Sequence, residues 1–113
     1  MKYIIAIIQP DKLNDTLDAL EKAQVHLVTV TNVLGRGRQK GISEVYRGHK
    51  EHGTLLRKVK LEIAVNEDYV QRTIDAIADS AHSGSIGDGK IFVLDLLQAV
   101  RIRTRETDAV AIG

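Results

Sequence analysis

An α+β sandwich, one antiparallel sheet with two helices on one face, is the fold class that the sequence predicts. Three observations predict it. Short β-branched runs alternate with two amphipathic helical stretches, and both halves open alike, with KYIIAII before one helix and KVKLEIAV before the other. No third helix remains to cover the second sheet face. The order β-α-β-β-α-β is a split βαβ repeat, and so a ferredoxin-like sandwich. Since most strands are apolar, the uncovered face makes self-association the expectation.

The first strand, Lys2 to Ile8, is a short β-branched run closed by Pro10. From Asp11 the period changes: Leu13, Leu17, Leu20 and Ala23 recur at helical spacing, with Asp15, Asp18, Glu21 and Lys22 on the opposite side. Val25 to Leu34 returns to β-branched residues, Val28 and Val30 alternating with Thr29 and Thr31, and Gly35 ends it. Lys58 to Val65 alternates most cleanly, placing Val59, Leu61, Ile63 and Val65 on one face and Lys58, Lys60 and Glu62 on the other. Asn66 is the expected N-cap of a second helix carrying Val70, Ile74, Ile77 and Ala81. Lys90 to Leu94 reads as a strand, Val100 to Thr104 as a short extension whose arginines share a face, and the tail from Arg105 as frayed.

At 113 residues the chain is expected to form one domain, running 1–113. It has no cysteine, which removes disulfides, thiolate metal sites and cysteine nucleophiles and fits a reducing compartment. The apolar run Ile4 to Ile8 is too short to span a bilayer and lacks a cleavage site after it, so a cytoplasmic location without membrane insertion is expected. A net charge of +1 argues against general nucleic-acid binding. The charge is unevenly spread: between Arg36 and Lys60 lie eight basic residues against two acidic ones, while the rest carries eight against thirteen. Such a segment attracts a localised anion.

The stretch SGSIGDGKIF, Ser83 to Phe92, carries Gly84, Gly87 and Gly89, which permit positive φ angles and close approach to the backbone. It nearly fits the P-loop pattern, but Ile91 stands where the magnesium-binding hydroxyl belongs and a strand follows instead of a helix. By its own residues it is equally a helix-to-strand connector or a phosphate cradle. The connection between Gly35 and Lys58, about twenty residues, is long for a compact domain. Its apolar Ile42, Val45, Tyr46, Leu55 and Leu56 favour a partner-contacting loop over a spacer.

An RNA-recognition surface needs stacking rings on the central strands, where Lys58, Lys60 and Glu62 stand instead. His49 and His52 form an H-x-x-H pair without a further ligand and read as solvated side chains. No nucleophile–base arrangement is readable, and no residue is placed as a general base, so no catalytic residue is assigned and the protein is not expected to be an enzyme. What remains is an anion site built from the GDGK turn, the GRGRQKG loop, Lys58, Arg101 and Arg103. Gln39 in that loop offers an oxygen suited to magnesium.

With TVT at Thr29 to Thr31, GRGRQKG at Gly35 to Gly41, YRG at Tyr46 to Gly48, KVKLEI at Lys58 to Ile63, GSIGDGKIFV at Gly84 to Val93 and RIRT at Arg101 to Thr104, the chain resembles the PII nitrogen signal-transduction family over essentially its whole length. The resemblance implies a homotrimer with ATP or ADP in the three clefts between subunits. Carried over motif by motif, Gly35, Gly37, Arg38, Gly87, Asp88, Gly89 and Lys90 would surround the phosphates, with Arg101 and Arg103 from the adjacent subunit. Thr29, Glu62 and the backbone near Ile7 and Ala64 would line base and ribose. Gln39 would ligate Mg²⁺, and Lys58, with Gln39, Lys40 and Gly41, would receive 2-oxoglutarate. The segment of about 37–55 corresponds to the family's mobile T-loop, in which Tyr46, Arg47, Gly48, His49 and Glu51 would meet a target such as an ammonium transporter, another transporter or an enzyme.

Four positions depart from the family pattern. Glu51 replaces the loop-tip tyrosine that is uridylylated in many members, and His49 replaces the serine phosphorylated in some, so both covalent routes are expected to be missing. Gln9 and Asp11 replace the usual lysine and phenylalanine after the first strand. The alternative function is therefore an adenylate sensor dedicated to a different transporter or efflux target, with a weak 2-oxoglutarate response.

Overall fold

The computed structural model describes residues 1–37 and 54–113 in full, and two short strands at Val45–Tyr46 and His49–Lys50 by their backbone. Numbered in chain order, the elements are β1 (Lys2–Ile8), α1 (Leu13–Lys22), β2 (Thr29–Gly35), β3 (Val45–Tyr46), β4 (His49–Lys50), β5 (Leu56–Val65), α2 (Val70–Ala81), β6 (Gly89–Asp95) and α3 (Asp108–Ile112). Single 3-10 turns, Pro10–Lys12 and Glu67–Tyr69, lead into α1 and α2. The main sheet is antiparallel in the order β2-β5-β1-β6, the ferredoxin-like arrangement that the split repeat predicts.

The predicted alternation decides which face is buried. Ile4, Ala6 and Ile8 of β1 and Val59, Leu61, Ile63 and Val65 of β5 point under the helices, where Leu20, Val25, Ile77 and Ala81 close the core. Each fully buried aliphatic side chain of this kind contributes about 1.5–3 kcal/mol. Two polar residues at the helix layer, Thr16 and Thr73, are completely buried as well. The Thr73 hydroxyl donates to the Tyr69 carbonyl at 2.7 Å, and the Thr16 and Ser80 hydroxyls lie 2.9 Å apart. Small side chains satisfied within the helices let α1 and α2 approach without stranding a donor.

Four expectations are corrected. The strand foreseen from Val25 begins only at Thr29. Gln24 adopts φ 64°, the Val25 N–H donates to the Leu20 carbonyl at 2.9 Å, and Val25 is spent as a plug beneath α1. Asn66 stands before the 3-10 turn, but its side chain does not cap it and instead donates to the Ala109 carbonyl at 3.2 Å. The extension at Val100 to Thr104 is a reverse turn, since Val100 bridges to Thr107 and the Arg101 N–H donates to the Glu106 carbonyl at 2.9 Å. Nor does the tail fray: the Asp108 N–H donates to Ala99 at 2.8 Å and the chain ends in α3.

Candidate functional site

The face away from the helices is graded along the strands. Strand register sets Lys90, Ile7, Lys60 and Thr31 in one row, Phe92, Ile5, Glu62 and Thr29 in the next, and Leu94, Tyr3 and Ala64 beyond them. One end is cationic, the middle offers a carboxylate and a hydroxyl, and the far end is apolar. Phe92 in the middle row and Leu94 at the far end remain about half exposed, at 48% and 46%. Lys60 belongs to this face beside the assigned residues. The KVKLEI alternation already placed it there, but no motif singled it out.

At the cationic end the glycine turn closes on the sheet. Gly84, Gly87 and Gly89 adopt φ 86°, 105° and 107°, the positive range foreseen for them. A Cβ on Gly89 would lie 1.7 Å from the Ile7 carbonyl oxygen, so the turn is pressed directly onto β1. Gln9 Nε2 and Lys58 Nζ, arriving from the ends of β1 and from β5, both donate to the Gly87 carbonyl, at 2.6 and 3.3 Å. Lys58 is only 8% exposed and has no carboxylate partner among the described residues. A buried ammonium lacking an opposite charge is a ready receptor for an anion.

Asp88 takes a bracing position. Its carboxylate accepts from the Ser83 hydroxyl, the Ser83 N–H at 2.8 Å and the Gly84 N–H at 3.0 Å. These donors, the Ser83 hydroxyl foremost, hold its pKa below the ordinary carboxylate value. A depressed carboxyl contributes stability above its unfolded pKa, near ~3.9, and loses it as pH falls through the lower folded value. Hydrogen exchange at the Ser83 and Gly84 amides, taken relative to the intrinsic rate at each pH, should therefore accelerate below about pH 4. In Asp88→Ala it should already be fast at neutral pH, and equal protection in the variant would refute the brace.

Glu62, in the middle of the face, accepts from the Tyr3 hydroxyl at 2.5 Å and pairs with Lys60 at 3.5 Å. The Tyr3 hydrogen bond is the main reason its carboxyl sits below the usual range, and the same bond raises the Tyr3 phenol. Glu62 is thus held ionised as an acceptor. Tyr3 was not assigned a role, because only the strand register sets it opposite Ala64 and within reach of Glu62.

Arg101 and Arg103 stand at the other end of the chain's own sheet. They follow β6, which runs from Gly89 beside Ile8 to Asp95 beside Lys2. At ~3.3 Å per residue that strand separates its ends by roughly 20 Å. One chain therefore does not bring these arginines to its own glycine turn. Arg38, Gln39, Lys40, Gly41, Arg47, Gly48 and Glu51 lie outside the described residues, as does His52; Tyr46 and His49 are described by backbone alone. Among the described residues no three His, Cys, Asp or Glu side chains gather as metal ligands, and no helix is long and apolar enough to cross a membrane.

Fold and face together define a ferredoxin-like domain with a cationic glycine turn at one end of an open sheet face. The family model for nitrogen regulatory protein P-II matches residues 1–106. The chain is 51% identical over 112 residues to a nitrogen regulatory protein P-II of Rhizobium etli, covering 99% of this chain and all of that one. It is 50% identical to P-II 2 of Methanothermobacter thermautotrophicus, across 99% and 97% of the two chains. Against P-II 1 of Escherichia coli it is again 50% identical, across 99% and 100%. The chain belongs to the nitrogen regulatory P-II family of signal-transduction proteins.

Proposed function

We propose that the protein binds ATP or ADP in clefts between the subunits of a homotrimer, senses 2-oxoglutarate together with Mg-ATP, and passes the result to a target protein through the segment 37–55. The observation that carries this reading is Lys58, a buried ammonium with no carboxylate partner among the described residues, drawn with Gln9 onto the Gly87 carbonyl. An effector carboxylate would supply its missing charge.

The gradient of the face supports a nucleotide lying along it. Phosphates suit the end with Gly87, Gly89 and Lys90, joined by Gly35, Gly37 and Arg38. Thr29, the ionised Glu62 and the backbone at Ile7 and Ala64 suit ribose and base. Arg101 and Arg103 would reach the phosphates from a neighbouring subunit, which also gives the half-exposed Phe92 and Leu94 a partner. Gln39 would hold Mg²⁺, whose charge would fix the nearby phosphate and carboxylate oxygens. The signalling route is short. Gly35 pairs with Leu56 at the stem of the 37–55 segment, and the Lys58 Cγ lies 3.4 Å from where a Gly35 Cβ would stand. A ligand that moves Lys58 acts on both stem strands, favouring one loop arrangement over another.

Gln9 favours a second reading. An amide engaged with Gly87 adds no charge for a dicarboxylate, as expected of an adenylate sensor serving another transporter or efflux target. Calorimetry separates the two. We expect 2-oxoglutarate to release heat with Mg-ATP present and not with Mg-ADP or without nucleotide. Silence in all three conditions, with ATP still binding, would overturn the first reading in favour of the second.

A further inference from the structure

Arg101 is the cation that this reading sends to a neighbour's phosphates, yet its guanidinium is already occupied. One terminal nitrogen donates to Glu106 Oε1 at 2.9 Å. The other donates to the carbonyls of Val110 at 3.0 Å and Ala111 at 3.4 Å, at the C-terminal end of α3. Bidentate phosphate binding uses the same fork. Arg103, two residues on, is exposed and has no partner among the described residues. The two arginines are therefore in different states.

The engaged state is built by several groups. Thr104 Oγ1 donates to Glu106 Oε1 at 2.7 Å and accepts the Glu106 N–H at 3.2 Å. The Asp108 carboxylate accepts the Ala99 N–H at 3.2 Å, and Asn66 holds the Ala109 carbonyl. It also carries strain: Arg105 and Asp108, on either side of Glu106, sit at φ 63° and 58°, a region that non-glycine residues enter at a cost. Beneath α3 lies a cavity of about 390 Å³, lined in part by Val25, Leu27, Tyr69 and Ile112. The helix is thus held mainly by polar ties, of which those to the Arg101 guanidinium are open to a competing anion.

We propose that Glu106 and α3 form an autoinhibitory clasp on Arg101, so that phosphate binding at Arg101 releases α3 and docking of α3 weakens nucleotide binding. The coupling is reciprocal by thermodynamic necessity. The inference rests on the nucleotide-binding reading and assigns a regulator to that site.

The test is calorimetric titration of Mg-ATP into the full-length wild type, Glu106→Gln and Asn66→Ala, with hydrogen exchange of residues 108–113. Glu106→Gln removes the competing charge and should tighten Mg-ATP binding about fivefold, the scale of a partly exposed ion pair. Asn66→Ala leaves the Arg101–Glu106 pair intact and removes one tie on α3, the bond to the Ala109 carbonyl, and should tighten binding by a smaller factor. Mg-ATP should accelerate exchange in α3 of the wild type. Unchanged or weaker binding by both variants overturns the clasp; weaker binding by Glu106→Gln alone would make Glu106 an orienting partner and overturn it equally. If the wild type binds and the variants match it, the clasp falls and the nucleotide reading stands. If only the variants bind, the clasp stands and nucleotide sensing by the native chain falls. If none binds, both fall.

Discussion

Replacing Gly89 with alanine is expected to destabilise the protein by about 3–5 kcal/mol, among the largest losses a single methyl group can cause. The new Cβ would stand 1.7 Å from the Ile7 carbonyl oxygen and 2.8 Å from its carbon, both backbone atoms of the central strand, which cannot swing aside as a side chain would. Its φ of 107° is itself outside the range an alanine adopts readily. The turn must therefore lift from β1, losing the Ile8–Gly89 pairing and carrying the Gly87 carbonyl away from Gln9 and Lys58. Gly84→Ala makes the control: its φ is 86°, but the nearest atom is a His82 ring carbon at 3.8 Å. Only the conformational cost of about 1–2 kcal/mol applies there. Denaturant midpoints of the two variants check the ranking, and a Gly89→Ala protein as stable as Gly84→Ala would disprove the backbone clash.

The parts of the fold that were legible in the sequence are those where burial imposes a period. β1, β5 and α2 bury one face each, so their apolar residues recur at two or at about 3.6, and the split repeat followed from them. Legibility failed where an apolar or alternating run served something else. Val25 belongs to the core without belonging to β2. Val100 to Thr104 alternates like a strand, but the Arg101 N–H and carbonyl are satisfied within the turn by Glu106 and Arg105. Thr16 and Thr73 are as buried as any leucine, a position threonine reaches only because neighbouring helix groups satisfy its hydroxyl.

The candidate site was legible by composition and not by arrangement. Three glycines in seven residues announced the positive φ angles of the turn. Nothing in the order of residues announced that the Asp88 carboxylate would turn back to Ser83 and Gly84, because its partners there include backbone N–H groups that every sequence possesses. Gln9 drew attention only as a missing cation. Its hydrogen bond to Gly87, 78 positions away, exists because sheet order sets β1 between β5 and β6. Arg101 was readable as an anion-binding candidate by type, while its occupation by Glu106 and α3 depends on a turn that the alternating pattern disguised.

Lys58→Met should separate stability from sensing by moving them in opposite directions. Methionine matches the length and volume of the lysine stem, so the buried site stays filled, and Gln9 continues to satisfy the Gly87 carbonyl at 2.6 Å. What disappears is an ammonium that is 8% exposed and has no carboxylate partner among the described residues. Removing such a charge should leave the folded protein unharmed or more stable by about 1 kcal/mol. The heat expected of 2-oxoglutarate with Mg-ATP should be absent, because the proposed effector carboxylate loses its cation. Mg-ATP affinity should change by no more than about threefold, within ~0.7 kcal/mol, since the phosphate end keeps the turn and Lys90. Denaturant unfolding and paired titrations of both ligands read all three quantities on one variant. A variant that loses stability while retaining its 2-oxoglutarate response would show Lys58 to be a strut for the glycine turn, and would remove it from the effector site.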